Sequence, residues 1–147
     1  MTYVSVLLQE SVHISLTLAA LNYMEIKKSD IQNAYLTAPC SDKIWTTLGS
    51  KFSPDLAGKR ALFGRALYGL KSAGASFRNH LAECMRNIGY SSCLVDLDLW
   101  FKEETRQSDG AKYYAYFLIY VDDCLVIHYA ADTDLHELGH LFRIKSV

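Results

Sequence analysis

Apolar positions at Val12, Leu16, Leu18, Ala19 and Tyr23 keep mostly to helical spacing and predict a helix over residues 10–24. Residues 25–29 alternate and read as a short strand that delivers Asp30 at its end. Residues 33–37 fit a tight turn or one helical turn, stopped by Pro39. Strands over 43–48 and 60–67 flank a loop marked by Gly49 and Ser53-Pro54-Asp55. The clearest helix covers 72–88, where Phe77, Leu81, Cys84, Met85 and Ile88 form one apolar stripe. Arg78, Asn79, Glu83 and Arg86 make its wet face, and Gly89 supplies its stop. Strands over 97–103 and 112–121 surround the turn signal Ser108-Asp109-Gly110. Another apolar strand, 124–129, follows a break at Asp122-Asp123, and a helix over 132–142 starts from Asp132 or Thr133 as its cap. Together these elements predict an α+β fold, an antiparallel sheet with helices packed on one face.

Composition narrows the class. With 147 residues, 50% hydrophobic and 21% charged, the chain reads as a single domain over 1–147 with a core of its own. Disorder is excluded, because low hydrophobicity and high net charge are both missing. The longest apolar run, 113–121, is nine residues, against the roughly 18 or more that a helix needs to cross a bilayer, so no membrane partner is expected. No Lys or Arg precedes the uncharged stretch 11–21, and Glu10 abuts it, which argues against a cleaved leader. Cys40, Cys84, Cys93 and Cys124 are far apart, which points to buried thiols in a reducing compartment rather than a zinc knot. The formal net charge is −1, but its distribution is uneven. Lys59, Arg60, Arg65, Lys71, Arg78 and Arg86 against Glu83 leave +5 in the middle, where a polyanion could sit. Asp122, Asp123, Asp132, Asp134 and Glu137 put −5 near the end, where cations could sit.

Three segments carry candidate chemistry. Asp122-Asp123 can be a hairpin turn, since Asp suits turns, yet two adjacent like charges repel unless a cation lies between them. Asp30 can cap the turn that follows it, or bring a third carboxylate to that pair. Three hard oxygen ligands suit magnesium, which completes its octahedron with water and substrate phosphates. Arg65-Ala66-Leu67-Tyr68-Gly69-Leu70-Lys71 reads as a strand-to-helix corner or as part of a binding surface. A fourth segment, His136-Glu137-Leu138-Gly139-His140, spells the zinc-peptidase signature. A catalytic zinc needs a third protein ligand, and none of the seven residues after His140 is His, Cys, Asp or Glu. His128 or Asp132 could serve only with unusual geometry, so the favoured reading is an amphipathic helix with Leu135, Leu138 and Phe142 buried and its histidines at the wet edge. His13 and His80 read as surface or satisfied helix residues.

In order, Asp30-Ile31-Gln32-Asn33-Ala34-Tyr35-Leu36, Ala66-Leu67-Tyr68-Gly69-Leu70-Lys71 and Tyr120-Val121-Asp122-Asp123 resemble the reverse transcriptase of copia-type LTR retrotransposons. Asp96, Asp98 and Trp100 add to the likeness, which spans roughly 25–142; Leu97, Ser72 and Gly74 depart from it. The resemblance implies a right-hand polymerase palm with partial fingers, truncated at both ends, and an RNA-directed DNA polymerase activity. It implies that Asp30, Asp122, Asp123 and the Ile31 carbonyl hold Mg2+ or Mn2+, with the three carboxylates as the catalytic set. Asn33, Ala34 and Tyr35 would bind the deoxynucleoside triphosphate, with the Tyr35 ring excluding a ribose 2′-hydroxyl. Gly69, Lys71 and Tyr120 would contact the RNA or DNA template and primer. The rest of a retroelement polyprotein is the implied protein partner, and the implied location is intracellular, cytoplasmic in virus-like particles and nuclear. A catalytically silent retroelement remnant is the competing expectation.

Overall fold

In the computed structural model, which describes residues 6–146, the apolar run at 113–121 becomes the centre of the fold. In chain order the elements are α1 (Gln9–Leu21), β1 (Glu25–Ile31), α2 (Ala34–Thr37), β2 (Trp45–Thr47) and β3 (Arg60–Leu62), then α3 (Ala73–Asn87). After α3 come β4 (Ser91–Ser92), β5 (Leu99–Thr105), β6 (Lys112–Tyr120), β7 (Asp123–His128), α4 (Ala131–Gly139) and β8 (Ile144–Ser146). A six-stranded sheet runs β4-β5-β6-β7-β1-β8, with every pairing antiparallel, and β2 pairs with β3 in a separate ribbon.

Register decides which side chains share a face, because partners across an antiparallel ladder point the same way. Ile31, Phe117, Ile119, Cys124 and Val126 turn to one face, where Phe77, Leu81 and Met85 of α3 and Leu138 of α4 cover them. Leu118, Leu125 and Ile127 turn to the other, against Ala19 of α1. The helices therefore pack on both faces, not on one. The cause lies in β6, where Phe117, Leu118 and Ile119 are all buried: a central strand apolar on both sides needs cover on both.

Helix α3 follows its sequence signals closely. Its stripe is buried, and a Schellman motif ends it: Tyr90 N donates to Met85 O at 3.0 Å and Gly89 N to Arg86 O at 3.0 Å. Gly89 stands at φ +92°, the left-handed geometry that this motif demands. Tyr90, the next residue, is 1% exposed and packs edge-on against Phe117, with ring centroids 5.0 Å apart.

Other expectations are corrected. The strand over 60–67 stops at Leu62, and a lone Pro39–Arg65 bridge replaces the rest. Neither Asp132 nor Thr133 caps α4; its N-cap position is Ala130, and Asp132 forms an ion pair with Lys27 of β1. Strands β4 and β8, too short for any periodicity, were not expected. All four cysteines are free thiols, but only Cys84 and Cys124 are buried. Among the described residues no helix is long and apolar enough to cross a membrane.

Candidate active site

Asp30 and Asp123 are direct cross-strand partners at one end of the β1–β7 ladder. The Ile31 amide donates to the Asp122 carbonyl at 2.8 Å, which makes Asp30–Asp123 a non-hydrogen-bonded pair. Side chains approach most closely in such pairs, so the two carboxylates stand side by side on the face that α1 shares. Asp122 lies in the adjoining turn. Tyr120, opposite Asp123 on the other side, is 53% exposed.

The hairpin turn is Val121-Asp122 rather than Asp122-Asp123, since Tyr120 already pairs with Asp123. Val121 has φ +57°, while Asp122 is not left-handed. A positive φ at the first central position alone is the type II′ pattern, which favours glycine. A β-branched residue there is strained, and such strain gathers at functional sites. Val121→Gly is accordingly expected to raise stability by about 1 kcal/mol, after discounting the backbone entropy of glycine, in a urea unfolding titration.

Charge around the pair is mixed. Lys28, two residues before Asp30 on the same face, places its Nζ 3.1 Å from Asp123 Oδ1. Lys145 of β8 stands opposite Asp30 on its free side. Cys124 points to the other face, where burial first, and then the negative charges of Asp123, Asp122 and Asp30, push its thiol up to about 12. The thiol stays protonated at neutral pH, on the face of the sheet opposite the Asp30–Asp123 pair. Hard oxygens from crowded like charges suit a divalent cation, so the donor chemistry fits magnesium or manganese. Among the described residues, though, no group of three or more His, Cys, Asp or Glu side chains is drawn together to hold a metal.

Asn33, Ala34 and Tyr35 follow Asp30 closely in the chain, and Ala34, Tyr35 and Leu70 pack in the cluster that α3 covers. Asn33 adopts φ +54° and is exposed, while Ala34 is buried at the start of α2. The Tyr35 ring packs on Tyr68, with centroids 4.5 Å apart, and on Phe77 of α3 at 5.9 Å. Arg65 Nη1 donates to the Thr37 carbonyl at 2.8 Å, and Ala66 N to Ala38 O at 3.0 Å. The segment after Asp30 and the segment 65–71 are thus stitched together although distant in the chain. Gly69 turns the corner at φ +93°, and Lys71 is exposed.

The charge runs do not survive as uniform patches. Arg78 pairs with Asp98 at 2.9 Å, and Arg60 and Arg86 lie over Trp45 and Trp100. At the acidic end, Asp134 is 1% exposed and pairs with buried His128. Asp96 is structural too, accepting from Leu8 N at 3.0 Å and Asp98 N at 3.1 Å. His136 and His140 are exposed, with Leu138 and Phe142 buried beneath, as an amphipathic helix requires. No third ligand joins them among the described residues. Sequence reasoning missed Lys28 and Lys145; the two-residue spacing of Lys28 from Asp30 on one strand was a signal for the first, and the second, set opposite Asp30 by register, had none.

No family model matches the chain. The retrovirus-related Pol polyproteins from transposons RE1 and RE2 of Arabidopsis thaliana are 27% and 25% identical to it over 126 residues, or 85% of this chain. The chain spans about 8% of the length of each. This distant homology supports a retroelement origin.

Proposed function

We propose that this chain is the palm of a copia-type reverse transcriptase, which extends a primer 3′-hydroxyl with deoxynucleoside triphosphates on an RNA or DNA template. The observation that carries the reading is the Asp30–Asp123 pair, two carboxylates side by side with Asp122 in the adjoining turn. The order of the three motifs and the distant likeness to transposon Pol polyproteins support it.

In this reading Asp30, Asp122, Asp123 and the Ile31 carbonyl hold Mg2+ or Mn2+. The chemistry such ions supply when bound is acidification of the primer hydroxyl and charge neutralisation at the departing pyrophosphate. The chain's own part is position. Tyr120 offers an exposed ring beside Asp123 for the primer end. Asn33 and Ala34 lie under the triphosphate, and Gly69 and Lys71 face the template. Tyr35, braced by Tyr68 and Phe77, is a stiff wall against a 2′-hydroxyl.

Primer extension on an RNA template, by the polypeptide that carries this chain, tests the reading. Magnesium-dependent deoxynucleotide incorporation is expected, and Tyr35→Ala is expected to admit ribonucleotides while synthesis continues. Unchanged sugar discrimination in that variant removes the role given to Tyr35. No extension by the wild type returns the chain to a silent retroelement remnant.

A further inference from the structure

We propose that Lys28 is a built-in counter-ion for Asp123 that a divalent cation must displace, so that Lys28 sets the metal concentration at which the carboxylate corner loads. The inference rests on the reading of Asp30, Asp122 and Asp123 as a cation site and adds a residue that opposes it.

Side-by-side carboxylates in a non-hydrogen-bonded pair repel, and the fold has to offset that repulsion when no metal is bound. Lys28 does so directly. It stands opposite Leu125, one diagonal step from Asp123, and its Nζ lies 3.1 Å from Asp123 Oδ1. Lys145 stands opposite Asp30 by register on its outer side, without an ion pair between them. The ammonium of Lys28 therefore takes one of the oxygens that a divalent ion needs. The Asp30–Asp123 pair thus carries an ammonium of its own, and among the described residues no third His, Cys, Asp or Glu side chain closes around it.

Displacement is feasible because the pair is not locked in. Lys28 is 53% exposed and Asp123 48%, so solvent screens their attraction. The ion that replaces the ammonium carries twice its charge. While Lys28 remains nearby, its positive charge works against the incoming cation, and that repulsion lowers the apparent affinity. Two unit charges about 4 Å apart in water interact enough to change an equilibrium about fivefold, and a divalent ion squares that factor. Lys28→Gln is thus expected to tighten metal binding about five- to thirtyfold.

The test is a titration of the full chain with Mn2+ alone, following the electron paramagnetic resonance signal of the free ion, with circular dichroism to verify folding. Lys28→Gln, with Lys28→Met as a second neutral variant, should bind Mn2+ more tightly than the wild type. Lys28→Arg should match the wild type, and the difference should shrink as KCl rises. If the neutral variants bind no more tightly while Asp123→Asn still loses the ion, Lys28 is no gate and the cation site stands. If no folded variant binds Mn2+, or if binding ignores both Asp30→Asn and Asp123→Asn, the cation site itself is wrong and the proposal goes with it.

Discussion

Asn in place of Asp123 is expected to cut magnesium-dependent primer extension by about a thousandfold while leaving the fold intact. The two side chains have nearly the same shape, so packing does not change. What is lost is a full negative charge where a cation and a charged transition state need it, the kind of deletion that costs on the order of 10²–10³-fold or more. Stability should move by less than about 1 kcal/mol, since the half-exposed pairing with Lys28 is weak and repulsion from Asp30 is relieved at the same time. Extension kinetics beside a urea melt separate the two effects. A variant that keeps a tenth or more of the wild-type rate sinks the catalytic assignment. A variant that unfolds instead makes Asp123 a structural residue.

The second large effect is on stability. Phe117→Ala should destabilise the chain by about 3–5 kcal/mol, the usual cost of emptying a buried aromatic site. Phe117 is fully buried in β6 and receives Tyr90 edge-on, with ring centroids 5.0 Å apart. Tyr90 in turn locks the end of α3, so the vacancy loosens the helix as well as the sheet. Against a total of roughly 5–15 kcal/mol for a domain, this is enough to leave the variant marginal at room temperature. Chemical denaturation measures it, and a loss under about 1 kcal/mol contradicts a core centred on β6.

Much of the architecture was legible in residue order because local signals agreed with one another. The stripe of α3 and Gly89 after it point to the same helix end. The turn residues between β5 and β6 and the apolar run that follows point to the same hairpin. The misreadings come from interactions that have no local trace. The continuous apolar run of β6 called for cover on both faces, but nothing in it says which helix supplies the second, so the seat of α1 was invisible. Strand β8 exists only because β1 offers it a free edge. Asp134, counted with the acidic run, is drawn inside by a histidine three positions before α4.

For the candidate site the division is similar. Residue order alone determined that Asp30, Asp122 and Asp123 fall near strand ends and that a two-residue turn joins β6 to β7, though set one residue too late, because strand periodicity and turn chemistry are properties of neighbouring residues. Only the tertiary structure decided that Asp30 meets Asp123 on one face, that the strained turn residue is Val121, and that Lys28 lies against the pair. The physical reason is that ladder register sets which distant side chains meet, and a one-residue slip turns each of them to the opposite face.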